Sequence, residues 1–283
     1  MLTGGMLETG VPLSAQSGAA ELIVTPERHG KLGWRRVENL RFARSLAIQP
    51  LAADELPRVA QSMPVGLTRD RGRWVAAAIF SNLPGQNLYV TAEGRWRAAF
   101  VPAALRTYPF RLSPDTPDAL ALWPCYKPVP LDDGCEPFFL DGKLQPVLES
   151  TFQFLRTVRS GIHALAEPLD FLAGQGVLTE WDLSPDTRDG GATGLTDIWR
   201  LDPQRLESLS EPAWLTLRRM GALPWIYAHL ASIHHAAGFK RLADIPAQPP
   251  SVMASPPRRE AVADRKAEDF LAMLAADMIG ADA

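Results

Sequence analysis

Near Leu144 the apolar residues of this chain change their spacing, and that switch limits the folds open to it. Before it, from about Leu22 to Phe139, short apolar runs are cut by Pro, Gly, Asn and Asp, the pattern of strands and turns. After it, Val147, Phe152, Leu155, Val158, Ile162 and Leu165 recur at helical steps, which lays them along one face of a long helix. A β-rich half followed by a mainly helical half predicts an α+β domain over 22–243, with the halves meeting at 140/141.

Within the first half, Trp74–Phe80 and Leu88–Thr91 flank a loop carrying Pro84 and Gly85 and are predicted to pair as a hairpin. Ala92-Glu93-Gly94 reads as the turn that follows. Pro102 suits the first position of a short helix because the missing N–H has no intrahelical partner there. Pro109 pushes Tyr108 out of the helical region, so Phe110-Arg111-Leu112 should be extended. Residues 113–139 hold six prolines and read as ordered loop around one short strand, 119–123.

In the second half, Leu169–Leu172 continues as helix to Gly174 and Gly176, and Val177–Leu183 with Leu195–Leu201 predicts a second hairpin. Asp202-Pro203 is a strong helix start, with Asp as cap and Pro in the first turn. Further helices follow from Ser210 and from Leu223. On the latter, Leu223, Tyr227, Leu230 and His234 are expected on the core stripe, with His229 and His235 facing outward.

Residues 1–21 read as a loosely held leader. Five prolines between 246 and 257 make 244–257 a stiff linker. Beyond it, 258–283 places Phe270, Leu274 and Met278 at four-residue steps, an amphipathic tail helix suited to docking on a partner.

Charge and cysteine content narrow the function classes. Lys and Arg number 29 against 32 Asp and Glu, a net charge of -3, which argues against nucleic-acid binding over a general basic surface. No stretch approaches the roughly 18 apolar residues of a membrane span. The amino-terminal residues lack a basic start and an apolar core, so no signal peptide is read and the expected compartment is the cytoplasm. Cys125 and Cys135 have no zinc-ligand spacing and are expected to remain reduced.

The chemistry-bearing strings are equally selective. Neither GxxxxGK[ST] nor GxGxxG occurs, and neither does GxSxG, so no phosphate loop or hydrolase elbow is predicted. His229, His234 and His235 lack the three- or four-residue spacing of helical metal ligands. Asp182, Asp186 and Asp189 miss the alternation of a calcium loop. No metal and no cofactor are expected.

What remains is Glu93 to Phe110, where arginines alternate with aromatics. Arg95, Trp96, Arg106, Tyr108 and Phe110 are the candidate ligand- or partner-binding residues, since guanidinium forks recognise anions and stack on rings. The competing reading is structural, with arginine stems covering apolar surface beside a hairpin.

Three groups of residues together resemble the SapC family of bacterial proteins. The first is Asn87-Leu88-Tyr89-Val90, Glu93-Gly94-Arg95-Trp96, Val101-Pro102-Ala103 and Arg106-Thr107-Tyr108-Pro109-Phe110. The second runs from Trp199-Arg200-Leu201-Asp202 through Leu217-Arg218-Arg219 and Gly221-Ala222-Leu223 to Ile226-Tyr227-Ala228-His229-Leu230-Ala231-Ser232. A weaker third is Pro26-Glu27-Arg28-His29.

The resemblance covers about 22–243 and implies a soluble accessory role in secretion or transport of a surface (S-layer) protein, by binding a protein partner and without catalysis. The alternative it implies is a small-molecule or anion-binding protein, or an enzyme, acting beside a flavin-dependent halogenase or an uptake system. In that alternative His29 joins Arg95, Arg106 and Tyr108 as a proton-transfer group.

Overall fold

A computed structural model describes residues 22–116, 118–132, 134–184 and 194–244. The architecture is α+β, with antiparallel sheets and helices mainly in the carboxy-terminal part. Its centre is a five-stranded antiparallel sheet in the order Leu178–Glu180, Trp199–Leu201, Val65–Asp70, Arg73–Ile79, Ile48–Pro50. Trp199 pairs with Leu67, so this sheet draws strands from both sides of the spacing switch.

The central hairpin is Val65–Asp70 with Arg73–Ile79, in register from Val65 opposite Ala78 to Asp70 opposite Arg73. Arg71 (φ 49°) and Gly72 (φ 80°) form its two-residue turn, the left-handed pair that matches the twist of antiparallel strands. The predicted pairing of Trp74–Phe80 with Leu88–Thr91 does not occur. The first run is a strand, but its neighbours are Val65–Asp70 and Ile48–Pro50. Leu88, Tyr89 and Val90 are buried irregular chain because Asn87 anchors them, donating from Nδ2 to the Ala43 carbonyl at 3.0 Å and accepting the Tyr89 N–H at 2.9 Å.

A second sheet orders Leu22–Ile23, Leu120–Leu122 and Phe110–Leu112, and a third orders Val129–Pro130, Leu32–Trp34 and Glu136–Pro137. Both enclose a satellite core of Trp34, Phe110, Leu120, Leu122 and Phe138. The helix Pro146–His163 joins the regions, giving Leu148 and Leu155 to the satellite core and Val158 to a contact with Ala52 and Ala103.

The second predicted hairpin forms, with Leu178 opposite Leu201 and Glu180 opposite Trp199. Asp202 caps the helix Pro203–Glu207 by accepting from the Gln204 and Arg205 N–H groups. Pro102, by contrast, sits one residue earlier than expected, at the cap of Ala103–Arg106. The helix Leu223–Ser232 buries Trp225, Ile226, His229 and Ser232, whereas Tyr227 is 58% exposed and His234 is exposed. His229 therefore faces inward, because the sheet lies against that stripe and not against the one containing Tyr227.

Candidate cleft between two arginine-aromatic segments

One wall of the principal cleft is Trp34 to Phe42. Its path is set by the turn at Gly94, whose carbonyl accepts the Leu40 N–H at 2.8 Å. Asn39 Oδ1 then accepts the Arg41 N–H at 3.1 Å and tightens the bend. Gly94 has φ +89°, and a Cβ there would lie 2.8 Å from Arg41 Cγ and 2.9 Å from Asn39 Cβ. Only glycine meets both the left-handed backbone and the close approach without strain.

The opposite wall is Val101 to Phe110. Its short helix begins where Glu55 Oε1 accepts the Ala103 N–H at 2.6 Å, while Oε2 accepts the Ala52 N–H at 3.1 Å. Glu55 is buried, and its pKa is raised by that burial, against the opposing effect of both backbone hydrogen bonds and of Arg106. The helix is followed by the cis Tyr108–Pro109 peptide, after which the chain enters the strand Phe110–Leu112.

Tyr108 closes the gap between the walls by stacking on Phe42, with ring centroids 3.8 Å apart and planes tilted 14°. Trp34 meets Phe110 edge to face at 4.9 Å. Thr151, from the long helix, completes a lining that also includes Arg36, Glu38, Leu105 and Arg106. The cleft has a volume of about 280 Å³. Small-molecule and cofactor pockets usually run from roughly 300 to 1,000 Å³, so this one suits a single side chain or a small fragment.

Arg106 holds its guanidinium over two rings, 5.5 Å from the centre of Phe100 and 5.7 Å from that of Phe154. The Tyr108 hydroxyl lies 3.7 Å from Cys125 Sγ, and its pKa is raised chiefly by burial, then by the Cys125 contact. It is a neutral phenol near pH 7.

Three of the expected site residues, Arg106, Tyr108 and Phe110, line this cleft. Arg95 does not: it is exposed and sits 3.7 Å from Glu93. Trp96 is turned toward the central core, against Phe80 at 5.4 Å and Tyr89 at 5.8 Å, with Nε1 donating to the Phe100 carbonyl. His29 is buried against Phe138 at 5.0 Å, its Nδ1 accepting the Thr25 N–H, and burial lowers its pKa. Its ring stabilises the Pro26–His29 turn and does not line the cleft. Phe270, Leu274 and Met278 lie outside the described residues.

The residues that sequence reasoning missed are Trp34, Arg36, Glu38, Phe42 and Thr151. A signal for part of them existed in Trp34-Arg35-Arg36, a second run of tryptophan beside arginine. Among the described residues no group of three or more His, Cys, Asp or Glu could hold a metal ion. Nor is any described helix long and apolar enough to cross a membrane.

The remaining motif residues hold the fold together. His229 Nε2 accepts the Leu201 N–H at 3.0 Å, and Ser232 Oγ accepts the Val65 N–H at 3.0 Å. One helix is thereby stitched to two adjacent strands of the central sheet. The profile of the SapC family matches residues 24–239, from the first described turn to the last helix.

The chain belongs to the SapC family. No curated protein and no solved structure matches it significantly. In this SapC protein the two long motif groups have separate mechanical tasks. The one around Gly94 and Arg106 shapes the cleft, and the one from Trp199 to Ser232 joins helix to sheet.

Proposed function

We propose that this SapC protein is a non-catalytic accessory factor of the cytoplasm, which works by binding a protein partner concerned with secretion or transport of a surface protein. The observation that carries this reading is the cleft itself, whose aromatic walls and charged rim suit a side chain better than a cofactor. Aromatic residues and arginine are the types that dominate binding energy at protein interfaces. The tail residues Phe270, Leu274 and Met278 form a second proposed contact, reached through the proline linker.

A photoreactive residue placed at position 38, on the cleft rim, tests the reading in cells. One reproducible polypeptide should be captured there and not from position 95, outside the cleft. Absence of any polypeptide at position 38, or the same capture at both positions, refutes it. A 1–243 truncation that captures the partner as well as the full chain removes the tail from the mechanism.

A further inference from the structure

The charges around the cleft are unevenly distributed. Among its lining residues stand two arginines, Arg36 and Arg106, and one carboxylate, Glu38. Their setting is a protein of net charge -3, so a locally cationic spot beside an apolar hole is a departure from the rest of the surface. Arg36 and Glu38 are exposed, whereas Arg106 is half-buried over Phe100 and Phe154. The cationic group nearest the aromatic walls is therefore also the one best shielded from bulk water, where a charge-assisted hydrogen bond is strongest.

The hole and the charge are close enough to act on one ligand. Arg106 and Tyr108 are separated by one residue on the same wall, and Tyr108 is fixed by its stack on Phe42. Arg106 belongs to the helix whose first N–H is held by Glu55, so its backbone is positioned before any ligand arrives. A guanidinium carries five N–H donors, which lets a carboxylate be added to contacts that Arg36 and Arg106 already make. Burial favours the neutral acid form of Glu55, which limits how far that group cancels Arg106.

From this geometry, and resting on the partner-binding reading above, we infer that the cleft recognises an extended acidic peptide segment. It takes one aromatic or branched apolar side chain between Phe42, Tyr108, Trp34 and Phe110, and pairs a neighbouring Asp or Glu with Arg106 and Arg36. The size limit favours one side chain with its flanking backbone, and the charge complementarity selects acidic sequences.

Four short peptides test this with the full chain: acetyl-Gly-Phe-Asp-Gly-amide, its Asp→Asn form, its Phe→Ala form, and the form carrying both changes. Titration is followed by isothermal calorimetry and by amide NMR shifts. The Phe-Asp peptide should bind most tightly, with the Asp→Asn and Phe→Ala forms each about tenfold weaker, in line with loss of a charge-assisted bond or a buried ring. Its affinity should fall as salt is raised. R106Q should bind the Asp and Asn peptides equally, and R36Q should narrow their difference. R95Q should leave it unchanged, and the native dispersion of amide signals shows that each variant is folded.

Equal binding of the Asp and Asn peptides by the unaltered protein overturns the acidic requirement, and equal binding of the Phe and Ala forms overturns the apolar one. Absence of saturable binding by all four overturns the peptide class. Specific capture from position 38 in that last case would leave the partner-binding reading standing, so the two failures are distinguishable.

Discussion

His229 offers the sharpest test of how this fold is held together, because its single titration can be isolated. The ring is fully buried, and burial lowers its pKa from 6.5 to about 4. As the pH falls, the unfolded chain takes up a proton near 6.5 while the folded protein resists until about 4. Stability from this residue is thus fully present above pH 6.5 and is lost through the window below it.

Linkage between those two values gives a loss of about 2 kcal/mol between pH 7 and pH 4.5. The perturbation is His229→Gln, whose side-chain oxygen can still accept the Leu201 N–H but does not titrate. Urea unfolding of both proteins at pH 7, 6, 5 and 4.5 supplies the two stability curves. Contributions from His29, His163 and His235, whose pKa values are also lowered, are common to both and cancel. The unaltered protein should lose about 2 kcal/mol more than the variant over that range. Parallel curves would refute a neutral, buried His229 as the stitch between helix and sheet.

Three further outcomes follow from the cleft walls. Glu55→Ala deprives the buried Ala52 and Ala103 N–H groups of their acceptor. It should destabilise the protein by about 2–5 kcal/mol in chemical denaturation, at roughly 1–3 kcal/mol for each unsatisfied group. Gly94→Ala, at φ +89° and within 3 Å of Asn39 and Arg41, should cost about 1–3 kcal/mol and shift the amide NMR signals of residues 39–42. Arg95→Ala removes an exposed side chain whose ion pair spans 3.7 Å. Its unfolding free energy should stay within about 0.5 kcal/mol of the original, and a larger loss would show that Arg95 does structural work its position does not suggest.

The parts of the fold legible from sequence were those with local causes. Asp202-Pro203 caps a helix because an acceptor side chain and a proline in the first turn are local requirements, and both are met. Phe110–Leu112 is extended after Pro109 for a similarly local reason. The central hairpin was missed because its turn is Arg71-Gly72, with arginine at φ 49°, where an Asn-Gly or Asp-Gly pair would have announced it. Leu88-Tyr89-Val90 has high strand propensity, yet its backbone is directed by Asn87, whose partner Ala43 lies 44 positions earlier in the sequence. His229 was assigned outward because Tyr227 and Leu230 looked like the core stripe, although the sheet packs on Trp225, Ile226 and His229. In both places a long-range polar contact overrode the local pattern.

The same distinction explains why the sequence identifies the family more readily than it identifies the site. Asn87, Gly94, Asp202, His229 and Ser232 stand in recognisable strings, and each has a geometric duty: an anchor, a close approach, a cap or a stitch. Replacing any of them disturbs backbone placement. Arg36 and Glu38 carry no such duty, being exposed side chains on a wall whose path is set by Asn39 and Gly94. The rim can therefore change its charge while the cleft keeps its shape. On this reading the motif strings encode a scaffold with an aromatic hole, Arg106 and Tyr108 supply its fixed polar edge, and partner selectivity is set by residues that no family string contains.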